Sequence, residues 1–181
     1  RLGEAVVRRP GTDALLGWGW SSSDWADPGL PDRGELDRVT GPDRPVLLLR
    51  SDLHSGLANS AALRRVGYLE SPPRMEGGSV EVGPDGMPTG LVLEMALGPL
   101  RAAFPPPGPD QMVEALAEGL ASLHRRGITA ICDQRLKDQG EGPLCRSALA
   151  RLERDGRLAT RIFSNLTMGD LEGDLPVLEG P

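Results

Sequence analysis

An apolar run early in the chain dominates its hydrophobic pattern. Residues 46–49 are uninterrupted Val and Leu after a proline, which predicts a buried strand. Asp52 and His54 follow at the carboxyl end of this strand, and a helix is predicted from about residue 55 to residue 66. A strand, a polar tip and a helix are the arrangement in which α/β proteins present a functional site.

Shorter periodic segments fill the rest of the first 104 residues. β-prone positions on both sides of Pro84-Asp-Gly86 predict a hairpin, because proline fixes φ and glycine accepts a positive φ. The other predicted elements are helices at residues 2–9, 31–37 and 94–103 and a strand at residues 14–18.

The pattern changes after Pro105-Pro-Pro107, a stiff stretch that predicts a linker over residues 105–108. Beyond it, the sequence predicts alternating elements: a helix capped by Asp110, a strand at 128–132 with Cys132 buried, a helix at 142–154 and a strand at 160–166. Alternating helices and strands with short loops are typical of a parallel sheet. We therefore predict an α/β protein with one unit at residues 1–104 and another at 109–181.

Composition excludes several functional classes. The net charge is −6 and the arginines form no basic stripe interleaved with aromatic side chains, so no nucleic-acid partner is expected. The two cysteines make no disulfide framework, and a reducing, cytoplasmic location is the expectation. The longest apolar runs have the length of strands, so no membrane partner is expected.

Candidate chemistry begins with the polar tip after residues 46–49. Asp52 and His54 lie two residues apart at the end of the predicted strand. His54 is a candidate for substrate contact or acid–base chemistry, and a structural histidine beside a helix-capping aspartate is the alternative. Glu94 could project into the same pocket after the return strand of the hairpin, or could be an exposed carboxylate at a helix N-terminus.

Aromatic residues form only 3% of the chain, yet Trp18, Trp20 and Trp25 lie in one region. They could line a ligand pocket or form a small local core. Asp133 ends the predicted strand at 128–132, where barrel enzymes place their chemistry, although a helix cap or an ion pair explains it equally well. Phosphate-binding glycine loops, nucleophile elbows and paired-cysteine metal motifs are absent from the sequence.

Metal ligands are few. A metal site needs three or four converging side chains, and His54 and His124 are far apart in the sequence. A small zinc enzyme built on His54, Cys132 and Asp133 is the weakest of the alternatives that the sequence leaves open.

Several short motifs occur in a fixed order between Leu15 and Asp133. They are Gly17-Trp-Gly-Trp20 with Trp25, Glu35-Leu-Asp37, Asp43-Arg-Pro-Val46, Asp52-x-His54, Asn59-Ser-x-Ala-Leu63 with Gly67, Pro88-Thr-Gly90 with Glu94, and Gly127-Ile-Thr-Ala-Ile-Cys-Asp133. In order and spacing, the chain resembles the amidohydrolase superfamily, in the branch of metal-dependent hydrolases that includes N-substituted formamide deformylases (amidohydrolase family 3). Leu53 and Trp18 depart from that branch's usual residues, which bears on the shape of the pocket.

The resemblance implies a fold and places this chain within it. The fold is a (β/α)8 (TIM-type) barrel, of which the chain looks like an internal segment with residues 127–133 and 160–166 as the second and third barrel strands. Residues before the triple proline would be an inserted α+β subdomain that covers the barrel mouth. His54 and the tryptophans would then lie near the substrate without binding metal.

The resemblance also implies an activity. A divalent metal of the zinc type would activate water to hydrolyse a C–N bond in a small amide-like substrate. Its ligands would precede Arg1 or follow Pro181, so the segment alone is expected to hold no metal and to be inactive. The alternative is a non-catalytic α/β binding or assembly module that forms homo-oligomers through unpaired strand edges.

Overall fold

The chain divides into two compact units, Arg1–Pro105 and Pro106–Pro181. A computed structural model describes residues 2–8, 13–23, 29–133 and 142–164. Both units combine helices with a β-sheet, so the structure is mixed α/β as the sequence predicts. Within the described residues no helix is long and apolar enough to cross a membrane.

The first unit is built on a five-stranded mixed sheet in the order β1-β2-β3-β5-β4. Strands β1 and β2 are parallel, and every other neighbouring pair is antiparallel. The elements in chain order are α1 (Leu2–Arg8), β1 (Leu15–Trp20), α2 (Arg33–Thr40), β2 (Val46–Arg50), β3 (Ser55–Ala58), α3 (Ser60–Arg65), β4 (Gly78–Val82), β5 (Pro88–Glu94) and α4 (Leu97–Ala102).

The helix predicted over residues 55–66 is wrong in its first part. Ser55–Ala58 form β3, which pairs antiparallel with β2, and only Ser60–Arg65 are helical. The helix begins there because Asn59 is its N-cap, with the side chain accepting a hydrogen bond from the backbone N–H of Ala62 at 3.0 Å. The polar tip after β2 is therefore a turn between antiparallel strands and not a strand-to-helix loop.

Asn59 also joins β2 to α3 from inside the unit. Its side chain is fully buried, and its Oδ1 accepts a second hydrogen bond from the N–H of Val46 at 2.9 Å. Its Nδ2 donates to the carbonyl of Arg44 at 2.7 Å. The apolar core packs around this point and consists mainly of Leu47, Leu49, Ala58, Ala62, Leu63, Val92, Leu97 and Leu100. One polar side chain thus satisfies backbone groups that the core would otherwise leave unpaired.

Helix α2 is fastened to the sheet by side-chain hydrogen bonds. Arg33 donates to the carbonyl of Pro88 at 2.6 Å and to the hydroxyl of Ser60 at 3.0 Å. The Ser60 hydroxyl donates in turn to Asp37 at 2.5 Å. The close approach requires Gly90, whose φ is +106° and where an added Cβ would lie 2.9 Å from the Cβ of Arg33.

The predicted hairpin is confirmed, but the helix after it starts later than predicted. Strands β4 and β5 pair antiparallel on the two sides of the Pro84-Asp-Gly86 turn. The helix begins at Leu97, and Glu94 is the last residue of β5 rather than the first turn of α4. Glu94 has a φ of +53°, which a helical residue does not adopt.

In the second unit, the elements are α5 (Pro109–His124), β6 (Ala130–Asp133), α6 (Gly142–Arg154) and β7 (Arg161–Ser164). Strands β6 and β7 are parallel, which confirms the predicted parallel pairing. The N-cap of α5 is Gly108 and not Asp110, because the Gln111 side chain accepts the Gly108 N–H at 2.9 Å. Asp110 lies in the first turn, where its negative charge interacts favourably with the positive end of the helix dipole.

Cys132 is exposed, so the prediction that it is buried is wrong. Helices α5 and α6 pack together over one face of the two strands, where Ile131 and Ile162 contact the apolar core of the unit. Alternation along a strand sends Cys132 to the other face. Phe163, its register partner on β7, is 56% exposed for the same reason. Cys132 and Phe163 thus lie together on the more exposed face of the two strands.

Candidate functional site

One edge of the five-stranded sheet collects most of the predicted site residues. The carboxyl ends of β1 and β2 lie at this edge because the two strands are parallel. Strand β3 starts there and β5 ends there, since each is antiparallel to its neighbour in the order β2-β3-β5. The residues at this edge, called the polar edge below, are Trp18, Trp20, Arg50, Asp52, Leu53, His54, Glu94 and Met95.

Asp52 shapes the turn between β2 and β3. Its Oδ1 accepts the backbone N–H of His54 at 2.9 Å and that of Ser55 at 3.3 Å. The chain reverses here through Leu53, which has a φ of +62°. Asp52 and His54 therefore lie in a turn and do not continue an extended strand. A local carboxylate–backbone hydrogen bond replaces the extended pairing.

His54 and Glu94 meet across the edge, although 40 residues separate them in the chain. The Nδ1 of His54 lies 2.9 Å from Oε2 of Glu94. The Glu94 N–H also donates to the carbonyl of His54 at 2.8 Å. Gly78 pairs with Glu94 in the sheet, and a Cβ at Gly78 would lie 2.5 Å from the backbone nitrogen of Ala96. This tight backbone packing holds Glu94 opposite the histidine.

The electrostatics of the polar edge favour charged forms. The hydrogen bond that His54 donates to Glu94, together with the negative charge of Glu94, raises the pKa of His54 above its ordinary value of 6.5. The backbone hydrogen bond from His54 and the nearby Arg50 hold the pKa of Asp52 below its ordinary value of 3.8. Both side chains are open to solvent, with 71% of the His54 side chain exposed. An imidazole held in this way is available to a ligand while keeping its proton at higher pH.

Arg50 extends the polar edge toward β1, and sequence reasoning missed it. Its Nε lies 3.8 Å from Oδ2 of Asp52, and its guanidinium carbon lies 5.7 Å from the centre of the Trp20 ring. Trp20 is anchored by a hydrogen bond from its Nε1 to the carbonyl of Leu48 at 2.9 Å. Arg50 lies at the end of the predicted strand, two residues before Asp52, and this position was the signal that could have identified it.

The two described tryptophans have different surroundings. Trp20 is half-buried against a small apolar cluster that contains Leu15 and Leu36, in agreement with a local core. Trp18 is 72% exposed, so packing in that cluster does not account for it. Trp25 lies outside the described residues.

Asp133 and His124 belong to the second unit. Asp133 is the half-buried last residue of β6, and His124 is the last residue of α5. Among the residues that the structure describes, no three His, Cys, Asp or Glu side chains group closely enough to hold a metal ion. The polar edge supplies one histidine, and its Nδ1 is already engaged by Glu94. The described residues of the polar edge therefore do not fit a metal centre.

Comparison with known proteins places this arrangement in a family. A sequence model of the amidohydrolase family matches residues 1–160. The putative amidohydrolase YtcJ of Bacillus subtilis (strain 168) is 35% identical over 120 residues, which cover 66% of this chain and 22% of that protein. The N-substituted formamide deformylase of Arthrobacter pascens is 36% identical over 107 residues, covering 57% of this chain and 20% of that protein.

Solved structures share the fold. An uncharacterized metal-dependent hydrolase from Pyrococcus horikoshii OT3 superposes with a TM-score of 0.57 at 20% identity, covering 97% of this chain and 32% of that one. A second, from Pyrococcus furiosus, gives a TM-score of 0.54 at 22% identity, covering 97% of this chain and 33% of that one. The chain thus spans about a fifth to a third of the length of these relatives. With the family model matched over most of its residues, the chain belongs to the amidohydrolase family.

Proposed function

We propose that this chain is part of a longer, metal-dependent amidohydrolase that hydrolyses a C–N bond in a small amide-like substrate. Membership of the family supports the reaction class. The name of the Arthrobacter pascens relative, N-substituted formamide deformylase, supports a substrate with a carbonyl bonded to nitrogen. The share of each relative that the chain spans supports a protein of greater length.

In this proposal, the first unit contributes the substrate-facing cover of the site. The observation that carries it is the polar edge, where His54 and Glu94 form an exposed, hydrogen-bonded pair with Asp52 and Arg50 beside it. Exposed ion pairs add little to stability. An exposed network that also includes two non-glycine residues at positive φ, Leu53 and Glu94, is the kind of strained surface that clusters at functional sites.

The second unit would form the second and third strands of a (β/α)8 barrel. A parallel pair joined by a helix is the repeating unit of such a barrel, and parallel sheets are ordinarily covered on both faces. The exposed Cys132 and Phe163 would then point into the barrel interior, where side chains of further barrel strands would cover them. Asp133, at the carboxyl end of β6, would lie at the end of the barrel where substrates bind.

The catalytic metal, a divalent ion of the zinc type, would be held by other parts of the longer protein. Such an ion supplies an activated water for hydrolysis. The described residues contain no group that fits the ion, and their contribution to the reaction is contact with the substrate. The 181-residue chain alone is accordingly proposed to lack activity.

The test compares the complete protein with the 181-residue chain. Both are purified, their metal content is measured by elemental mass spectrometry, and each is assayed with a panel of N-substituted amides before and after chelation and metal restoration. The expected result is metal-dependent hydrolysis by the complete protein and none by the chain. A complete protein that binds metal but cleaves only ester or phosphate substrates would refute the proposed reaction. Amidase activity in the chain would refute the placement of the metal.

A non-catalytic assembly module is the second candidate, and the exposed face of β6 and β7 favours it. Phe163 and Cys132 would be covered by a second copy of the chain rather than by further barrel strands. Analytical ultracentrifugation over a range of concentrations tests this candidate, with Phe163→Ser as the variant. A dimer that the substitution dissociates favours assembly, whereas a monomer at every concentration excludes it.

A further inference from the structure

We propose that His54 is a specificity-determining residue whose Nε2 donates a hydrogen bond to the neutral carbonyl oxygen of an amide-like substrate, and that Glu94 is the positioning residue that makes this possible. The inference rests on the proposed function and adds to it the atom that recognises the substrate and the class of group recognised. Its starting point is the 2.9 Å contact between His54 Nδ1 and Glu94 Oε2.

The contact decides where the imidazole proton lies. A carboxylate accepts hydrogen bonds and has no proton to donate, so Nδ1 of His54 carries a proton in both the neutral and the charged ring. Nε2 then carries a proton only when the ring is charged. Because Glu94 raises the pKa of His54, the charged ring with its Nε2–H persists to higher pH than in an isolated histidine. Glu94 therefore determines whether the outward-facing nitrogen is a donor or an acceptor.

The charges around the ring favour a neutral acceptor over an anion. His54 faces the carboxylate of Glu94 across the edge and has Asp52 within its own turn. The remaining charged group, Arg50, faces Asp52 at 3.8 Å. Two carboxylates thus balance two cations, so an incoming carboxylate meets as much repulsion from Glu94 and Asp52 as attraction from His54 and Arg50. A carbonyl oxygen accepts the same hydrogen bond without that repulsion.

Apolar side chains beside the pair indicate the rest of the ligand. Leu53 precedes His54 and is 40% exposed, and Met95 follows Glu94 and is 67% exposed. Both are large apolar side chains left at the surface, each next to a member of the hydrogen-bonded pair. An amide whose substituent is apolar would use the donor and cover these side chains together.

The experiment uses the 181-residue chain and two probes of the same shape, benzamide and benzoate, followed by NMR at the His54 ring and at the methyl groups of Leu53 and Met95. At about pH 6, where benzoate is an anion, benzamide is expected to shift these signals saturably and to bind about threefold to tenfold more tightly than benzoate. Equal or tighter binding of benzoate, or no saturable shift with benzamide, would overturn the proposal.

Three variants distinguish a hydrogen-bonding role of His54 from a purely structural one. His54→Ala is expected to abolish the preference for benzamide. Glu94→Gln is expected to lower the pH at which benzamide affinity falls, in step with the His54 titration measured on the same sample. Glu70→Gln, an exposed carboxylate elsewhere in the unit, is the matched control and should change neither. An unchanged pH profile in Glu94→Gln would refute the positioning role.

Activity of the complete protein makes the two proposals separately testable. If the complete protein cleaves amides and His54→Ala leaves KM and kcat unchanged, the role of His54 fails while the proposed function stands. If the complete protein cleaves no amide but the chain still prefers benzamide to benzoate, the proposed function fails and the recognition chemistry of His54 stands. A raised KM with little change in kcat in His54→Ala supports both.

Discussion

Replacing Asn59 by alanine removes the most connected buried side chain of the first unit. The side chain is fully buried and makes four hydrogen bonds, to the N–H groups of Val46 and Ala62, the carbonyl of Arg44 and the hydroxyl of Thr40. Three of these partners are backbone groups in buried surroundings, and alanine offers none of them a replacement. The loss therefore acts on β2 and on the N-terminus of α3 together.

The expected size of the loss follows from these contacts. A buried backbone group left without a partner costs about 1–3 kcal/mol, and loss of an N-cap alone costs about 1 kcal/mol. With partial relaxation around the small cavity, Asn59→Ala should lower the free energy of unfolding by about 3–5 kcal/mol. Since single domains have only about 5–15 kcal/mol in total, this loss brings the first unit close to unfolding.

Urea denaturation followed by tryptophan fluorescence measures the effect, because the described tryptophans lie in the same unit as Asn59. Asp32→Ala is the matched control, since Asp32 is the N-cap of α2 and its carboxylate accepts an exposed hydrogen bond from the backbone N–H of Glu35 at 2.9 Å. It should lose only about 1 kcal/mol. An Asn59→Ala variant that loses no more than Asp32→Ala would refute the reasoning that burial of the partners sets the penalty.

Three further outcomes follow from the structure. Gly90→Ala should lower the free energy of unfolding, measured by urea denaturation, by about 3 kcal/mol. The backbone at Gly90 has a φ of +106°, and the new Cβ would overlap the Cβ of Arg33 at 2.9 Å. Glu94→Gln should destabilise the unit more at about pH 6 than at about pH 9. Because Glu94 raises the pKa of His54 in the folded state, the stabilisation by the His54–Glu94 contact is complete below the unfolded pKa of 6.5. This stabilisation is lost as the pH rises through the folded pKa of His54. Arg157→Gln should lower the stability of the second unit slightly and only at low salt, because the bidentate ion pair of Arg157 with Glu114, at 2.8 and 2.9 Å, is exposed. Thermal unfolding with and without added salt measures this difference.

The first two of these outcomes have a control variant in the same chain. Gly86→Ala shares the positive φ of Gly90, at +78°, but has open space around the new Cβ, so it should lose only about 1 kcal/mol. A loss equal to that of Gly90→Ala would mean that backbone strain, and not overlap, is responsible. Asp85→Asn, in the exposed hairpin turn, should show no such difference between about pH 6 and about pH 9.

The sequence predicted the elements whose signals are local. The apolar run that forms Val46–Arg50, the Pro84-Asp-Gly86 hairpin and the alternating elements of the second unit all appear in the structure. Each depends on periodicity or on a turn residue with a fixed backbone preference, and such signals lie within a few residues of one another. Family membership could also be inferred from the sequence, because several motifs in a fixed order are specific even where each motif alone is weak.

Other features depended on contacts between distant residues. Ser55–Ala58 carry no strong preference of their own and became a strand because β2 and β5 flank them. The prediction for Cys132 failed because a short apolar strand looks the same whether one face or both are covered.

The family, the parallel and hairpin elements, and the candidate site residues Asp52, His54 and Glu94 all follow from the sequence alone. The hydrogen bond between His54 and Glu94 and the position of Arg50 beside Asp52 become visible only in the folded chain. The pairing of β3 with β5 sets which side chains meet at the polar edge, and this pairing joins residues about 40 positions apart. No local pattern of polar and apolar residues encodes such a meeting, because it exists only once the sheet has formed.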